Sequence, residues 1–137
     1  MHIVELLHQH PRGVWYLATP YSKWPLGHDA AAREAAMLTT RLQNDGLVIY
    51  SPIVHSHQLC VVDRSMAHPT LDHLSQEYWL PIDRLHVEKS CGLIVARMPG
   101  WDESFGVKAE IDWFRNDFQD KPRFLVSPHD LYFSHLE

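Results

Sequence analysis

The order of elements between residues 14 and 50 limits the fold of this chain more than any other feature. Val14-Trp15-Tyr16-Leu17-Ala18 is a short apolar run between His10-Pro11-Arg12-Gly13 and Thr19-Pro20-Tyr21-Ser22, and it reads as a buried strand. Beyond the Lys23 to His28 loop, Asp29 is the expected N-cap of a helix whose Ala31, Ala35, Leu38 and Leu42 fall on one stripe. Asn44-Asp45-Gly46 supplies its stop, and Leu47-Val48-Ile49-Tyr50 reads as a second strand closed by Ser51-Pro52. Strand, helix and strand at this spacing favour a right-handed crossover and a parallel pair. The predicted class is an α/β sandwich around a parallel sheet of four or five strands.

A second strand-to-helix corner lies downstream. Gly92-Leu93-Ile94-Val95-Ala96 reads as a strand, Arg97 to Glu103 as a Pro/Gly loop, and Ser104 onward as a helix with Val107, Ile111, Phe114 and Phe118 on its apolar stripe. Glu110 flanks that stripe. Helical side chains lean toward the N-terminus, so its carboxylate is expected to point toward the amides of Ser104 to Gly106, which suit an anion such as phosphate. A surface acid that favours the helix dipole, with Ser104 as N-cap, is the alternative.

The rest of the chain reads less regularly. From Ile53 to about Leu71 the expectation is a long polar loop bearing His55, His57 and Pro69, of the kind often used as a lid. Leu74, Tyr78, Ile82 and Leu85 return at helical spacing, with a kink or a new helix expected near Pro81. Arg123 to Ser127 reads as a fourth strand, and Asp130-Leu131-Tyr132-Phe133 as a short docking helix.

Composition narrows the function. A chain of 137 residues fits one domain, here residues 1–137. Net charge is -5 and Lys and Arg do not cluster, so a polymeric nucleic acid has no electrostatic footprint. The N-terminus does not read as a signal peptide and no apolar run reaches membrane-span length, so a cytoplasmic protein without a membrane partner is expected. Cys60 and Cys91 lack a Cys-x-x-Cys spacing and read as reduced thiols. No Gly-x-Gly-x-x-Gly, P-loop, Gly-x-Ser-x-Gly or His-Glu-x-x-His occurs, which weighs against dehydrogenase, NTPase, α/β-hydrolase and zinc-protease readings.

In parallel sheets, ligands bind outside the C-terminal strand ends near a switch in strand order. Three loops would converge there, carrying Thr19, Pro20, Tyr21, Ser51, His55 and His57 as candidate substrate contacts. Glu110 and Asp83 could both reach this crevice, although Asp83 also suits a surface pair with Arg84 or Lys89. Tyr16 is either core or a hydroxyl at the crevice. His55 and His57 would share one side of an extended segment and could bind a metal with Cys60 or Asp63, but no third ligand has a recognised spacing, so hydrogen-bonding roles and no metal are expected. Trp24, Trp79 and Trp101 could stack on a base. Lys23, Arg33, Ser51 and Lys108 are possible phosphate neighbours.

Trp15 to Tyr21, the helix with Arg33, Gly46 to Ile53, Asp83, and Ser104 to Glu110 together resemble the nucleoside 2-deoxyribosyltransferase-like superfamily. Tyr-Leu-Ala-Thr-Pro-Tyr-Ser and Ser-Pro-Ile-x-His-Ser are similar to a small bacterial and phage branch of unknown function. The resemblance implies a flavodoxin-like or Rossmann-like three-layer sandwich. It also implies cleavage or transfer at the N-glycosidic bond of a nucleoside or nucleoside 5'-monophosphate, without a cofactor. It assigns Glu110 as nucleophile, Asp83 as second acid, Tyr16 as the strand-end tyrosine, and Ser104 with Gly106 as the phosphate turn. A retaining mechanism and a homodimer or higher homo-oligomer follow from the same resemblance. The functional alternatives are a non-catalytic nucleotide-binding or regulatory module on the same fold, and a metal-dependent hydrolase built on His55 and His57.

Overall fold

The computed structural model describes residues 1–21, 24–67 and 76–137. Its elements run α1 (Ile3–Gln9), β1 (Val14–Ala18), α2 (His28–Asn44), β2 (Val48–Tyr50), α3 (Pro52–Arg64), α4 (Gln76–Lys89), β3 (Gly92–Ala96), α5 (Phe105–Asp117), β4 (Arg123–Val126) and β5 (Phe133–His135). The strands form one sheet in the order β2-β1-β3-β4-β5. All neighbours are parallel except β4 and β5. The α/β sandwich expected from the sequence is therefore present, with an antiparallel strand added at one edge.

Alternation along the strands separates two cores. Trp15, Leu17, Ile49, Ile94, Phe124 and Val126 turn to one face and pack with Leu6 of α1 and Leu38 and Leu42 of α2. Tyr16, Ala18, Leu93 and Val95 turn to the other, against Val87 of α4 and Val107, Ile111 and Phe114 of α5. These are the three layers of the sandwich, and the expected stripes of α2 and α5 are the buried ones. Complete burial of each large apolar side chain contributes roughly 1.5–3 kcal/mol. Close approach of α5's connection to β1 depends on Gly92, where a Cβ would stand 2.5 Å from Trp15 Cζ3 and 2.7 Å from the Pro122 carbonyl oxygen.

Several local expectations are corrected. Residues 52–64 of the supposed lid are helix α3, because Ser51 and Pro52 act as helix-start residues: the Ser51 side chain accepts from the Val54 amide at 3.3 Å and Pro52 occupies the first turn. Asp29 is not the N-cap of α2 but lies in its first turn. Gly27 takes the capping position at a φ of 94°, a conformation open to glycine. Helix α4 runs unbroken through Pro81, so no new helix starts there. The tail forms β5 rather than a docking helix, pairing Phe133 with Val126 after a turn at Leu131 with φ 55°. Ser22, Lys23, Pro69, Leu71, His73 and Leu74, on which other expectations fell, lie outside the described residues. Among the described residues no helix is long and apolar enough to cross a membrane, and Cys60 and Cys91 are not joined in a disulfide.

Candidate active site

The chain enters the sheet at β1, moves outward to β2, then returns past β1 to β3 and continues outward to β4. The order of strands thus switches between β1 and β3, and the region beyond their C-terminal ends is the candidate crevice. On the α4 and α5 side of this switch point stand Tyr16 from β1, Tyr50 from β2, Asp83 from α4 and Glu110 from α5.

Glu110 is a buried carboxyl group, 6% exposed. Its position on α5 follows from the stripe: it lies one residue before Ile111 and three after Val107, both buried, so the helix face that enters the core carries it inward. The carboxylate turns to the Tyr16 hydroxyl rather than to the amides of Ser104 to Gly106. The two interact without meeting the geometry of a full hydrogen bond, and Tyr16 has no other partner among the described residues. Burial holds the Glu110 carboxyl well above the ordinary carboxylate range; the Tyr16 hydroxyl pulls it back, and the charge of Asp83 adds to the rise.

Asp83 is partly buried, and burial pushes its carboxyl up to about 7. The surface pairing with Arg84 does not form. Arg84 instead bonds Asp117 at 2.7 Å and lies 3.7 Å from Glu88, one turn along its own helix. Burial also raises the phenols of Tyr16 and Tyr50, and the charges of Glu110 and Asp83 raise them further, so both are neutral donors near pH 7. Two acids and two phenols in one crevice form the cluster of perturbed groups expected at a reactive site.

The edge of the crevice carries the remaining candidates. Ser104 is buried and caps α5, its side chain accepting from the Val107 amide at 3.3 Å. Next to it, a Cβ on Gly106 would meet nothing within 4 Å, so the first turn of α5 is open. Thr19 and Pro20 are buried at the end of β1, and the Thr19 hydroxyl has no partner among the described residues. Ser51 is buried as the α3 cap. Arg33 and Lys108 are exposed, and Trp101 is partly buried against the core that contains Tyr16.

The two histidines separate. A helix turns roughly 200° over two residues, so His55 and His57 face different ways rather than sharing one side. His55 joins Tyr50, with ring centroids 6.1 Å apart. His57 bridges Tyr21 and Asp29: its Nδ1 is 2.8 Å from the Tyr21 hydroxyl and its Nε2 2.9 Å from Asp29. Tyr21 is also stacked on His28, at 4.4 Å between centroids. Tyr21 and His57 therefore form a second cluster between the β1 loop, α2 and α3. Among the described residues no group of three or more His, Cys, Asp or Glu is placed to hold a metal ion. Sequence reasoning passed over Tyr50 and His86. A tyrosine at a predicted strand end and a histidine three residues after Asp83, one helical turn on, were the available signals.

The family model described as "Domain of unknown function (DUF1937)" matches residues 13–125, which include every member of this crevice. The chain belongs to that family. No curated protein sequence matches it. Among solved structures, a 2-deoxyribosyltransferase from the psychrotolerant bacterium Bacillus psychrosaccharolyticus is similar in fold, with a TM-score of 0.51 and 19% identity. The match covers 84% of this chain and 72% of that one. The fold implied by the resemblance of the sequence motifs is thus borne out, and the family is one of unknown function.

Proposed function

We propose that this protein cleaves the N-glycosidic bond of a nucleoside or nucleoside 5'-monophosphate, passing the sugar to water or to a second base. The observation that carries the reading is the buried Glu110 carboxyl at the strand-order switch, facing Tyr16 with Asp83 beside it. The shared fold with a 2-deoxyribosyltransferase supports the reaction class.

In this reading the ionised Glu110 attacks C1', the glycosidic bond breaks, and a covalent glycosyl-enzyme forms. Asp83 gives its proton to the departing base. The acceptor then attacks C1', returns a proton to Asp83 and releases Glu110. Tyr16 donates toward Glu110 and orients it. Burial raises both carboxyls, and positive charge developing on the sugar favours the state with Glu110 ionised and the proton on Asp83. The open first turn at Gly106, with the α5 amides, is the place for a 5'-phosphate.

The test is chromatographic detection of free base from ribo- and deoxyribonucleosides and their 5'-monophosphates, with and without a second base. Glu110→Ala is expected to lower release by at least about a thousandfold while remaining folded. Turnover retained in the folded variant would overturn the role of Glu110. One feature favours a second reading, a binding module without chemistry: burial keeps Glu110 protonated more readily than an ordinary carboxylate, and a protonated carboxyl is a poor nucleophile. That reading predicts nucleotide binding by calorimetry with no product after long incubation.

A further inference from the structure

Tyr50 ends β2 and turns to the Glu110 side of the sheet, where its ring lies 5.8 Å from that of Tyr16 between centroids. It is stacked face to face on His86, with centroids 3.9 Å apart and planes within 2°. His86 is itself held: its Nδ1 lies 3.0 Å from the Ile82 carbonyl oxygen, and because a carbonyl only accepts, Nδ1 is the protonated nitrogen. His55 packs at the edge of both rings, 6.1 Å from Tyr50 and 6.4 Å from His86. A tyrosine ring fixed on this scale presents its hydroxyl in one place.

That hydroxyl is buried and has no hydrogen-bond partner among the described residues. An unmatched buried hydroxyl destabilises a fold. Such a group at a candidate site is open to a partner from outside the chain. The charges of Asp83 and Glu110 reach it, so a phosphate would be repelled there. One face of the Tyr50 ring is covered by His86, so its hydroxyl is the group left to meet a ligand. A neutral ligand hydroxyl fits both the donor and the acids around it.

We propose that Tyr50 contacts the ligand directly, donating to a hydroxyl oxygen of the pentose and so setting which sugar the crevice accepts, with His86 as the residue that positions its ring. The inference rests on the nucleoside reading of the site but not on bond cleavage.

Binding is measured by calorimetry in the Glu110→Ala background, so that no turnover interferes. The probes are the common nucleosides, each as ribose, 2'-deoxyribose and 3'-deoxyribose forms. Adding Tyr50→Phe, an isosteric change, is expected to weaken binding about tenfold or more for sugars carrying the hydroxyl that Tyr50 meets. Binding of the form lacking that hydroxyl should change little. His86→Ala should lose the same preference, and His86→Phe, which keeps a stacked ring, should restore it. Equal binding of all three sugar forms by the folded Tyr50→Phe protein and its parent, or no nucleoside binding by the parent, overturns the proposal. A sugar preference lost with Tyr50→Phe while the wild type releases no base leaves this inference standing and removes the cleavage reading. Base release by Tyr50→Phe with the wild-type sugar preference does the reverse.

Discussion

Replacing Asp83 with Asn is expected to stabilise this protein at neutral and alkaline pH. In the open chain an aspartate ionises near 3.8, whereas burial in the fold pushes Asp83 up to about 7. Between those values the folded state holds a proton that the unfolded state has released. Stability from this group is therefore complete below pH 3.8, declines as pH rises, and levels off above about 7. At 1.36 kcal/mol for each tenfold change in acidity, the full effect has an upper bound of roughly 4 kcal/mol. Asp83 keeps some contact with solvent, which screens its charge, so about 2 kcal/mol is the working figure. Asn cannot ionise and has nearly the same shape, so the variant should match the wild type near pH 4 and exceed it by about 2 kcal/mol at pH 8. Removing the Asp83 charge also lets Glu110 ionise more readily, an effect of the same sign. The assay is urea unfolding of both proteins from pH 4 to 8, read as the difference between the two curves. Parallel curves would refute the reasoning, because they would mean that Asp83 ionises in the fold as it does in the open chain.

Base release should show a bell-shaped pH profile. It rises as the Glu110 and Asp83 pair loses its first proton and falls as the second is lost, and Asp83→Asn should abolish the alkaline limb; a flat profile from pH 5 to 9 would argue against a shared proton. Gly92→Ala drives a Cβ against Trp15 and the Pro122 carbonyl and should lower stability by about 1–3 kcal/mol in urea titrations, with unchanged unfolding disproving the tight contact. His57→Ala removes the bridge between Tyr21 and Asp29, and amide exchange at the start of α2 should quicken about two- to fivefold. Unaltered exchange there would show that the bridge does not restrain the β1 loop.

Legibility from sequence followed the range of the interactions. Strands β1 and β3 were readable to the residue, because both are short apolar runs between turn residues and both are buried. The α5 stripe placed Glu110 correctly at the border of the core. Helix α3 was misread because its buried residues are only Pro52, Cys60 and Asp63, too sparse for a helical period, while its Ser51-Pro52 start was taken as the end of β2. Strand β5 has three residues and no period of its own. Its pairing with β4 and the bond from the Met1 amino group to the Phe133 carbonyl, 2.6 Å long, join distant parts of the chain.

Local pattern by itself determined the α/β class, the parallel strands and the corner that holds Glu110, since hydrophobic period, capping and turn residues act over a few positions. It also offered Asp83 and Tyr16 as companions, each with a surface or core alternative, and the resemblance between short motifs assigned their roles. Tertiary structure alone decided which groups meet. It turned Arg84 to Asp117 and left Asp83 in the crevice, parted His55 from His57, and stacked His86 on Tyr50. Burial and the absence of a partner then set the charge of each group, and neither can be read from a residue's neighbours in sequence, because both depend on which distant side chains exclude water from it.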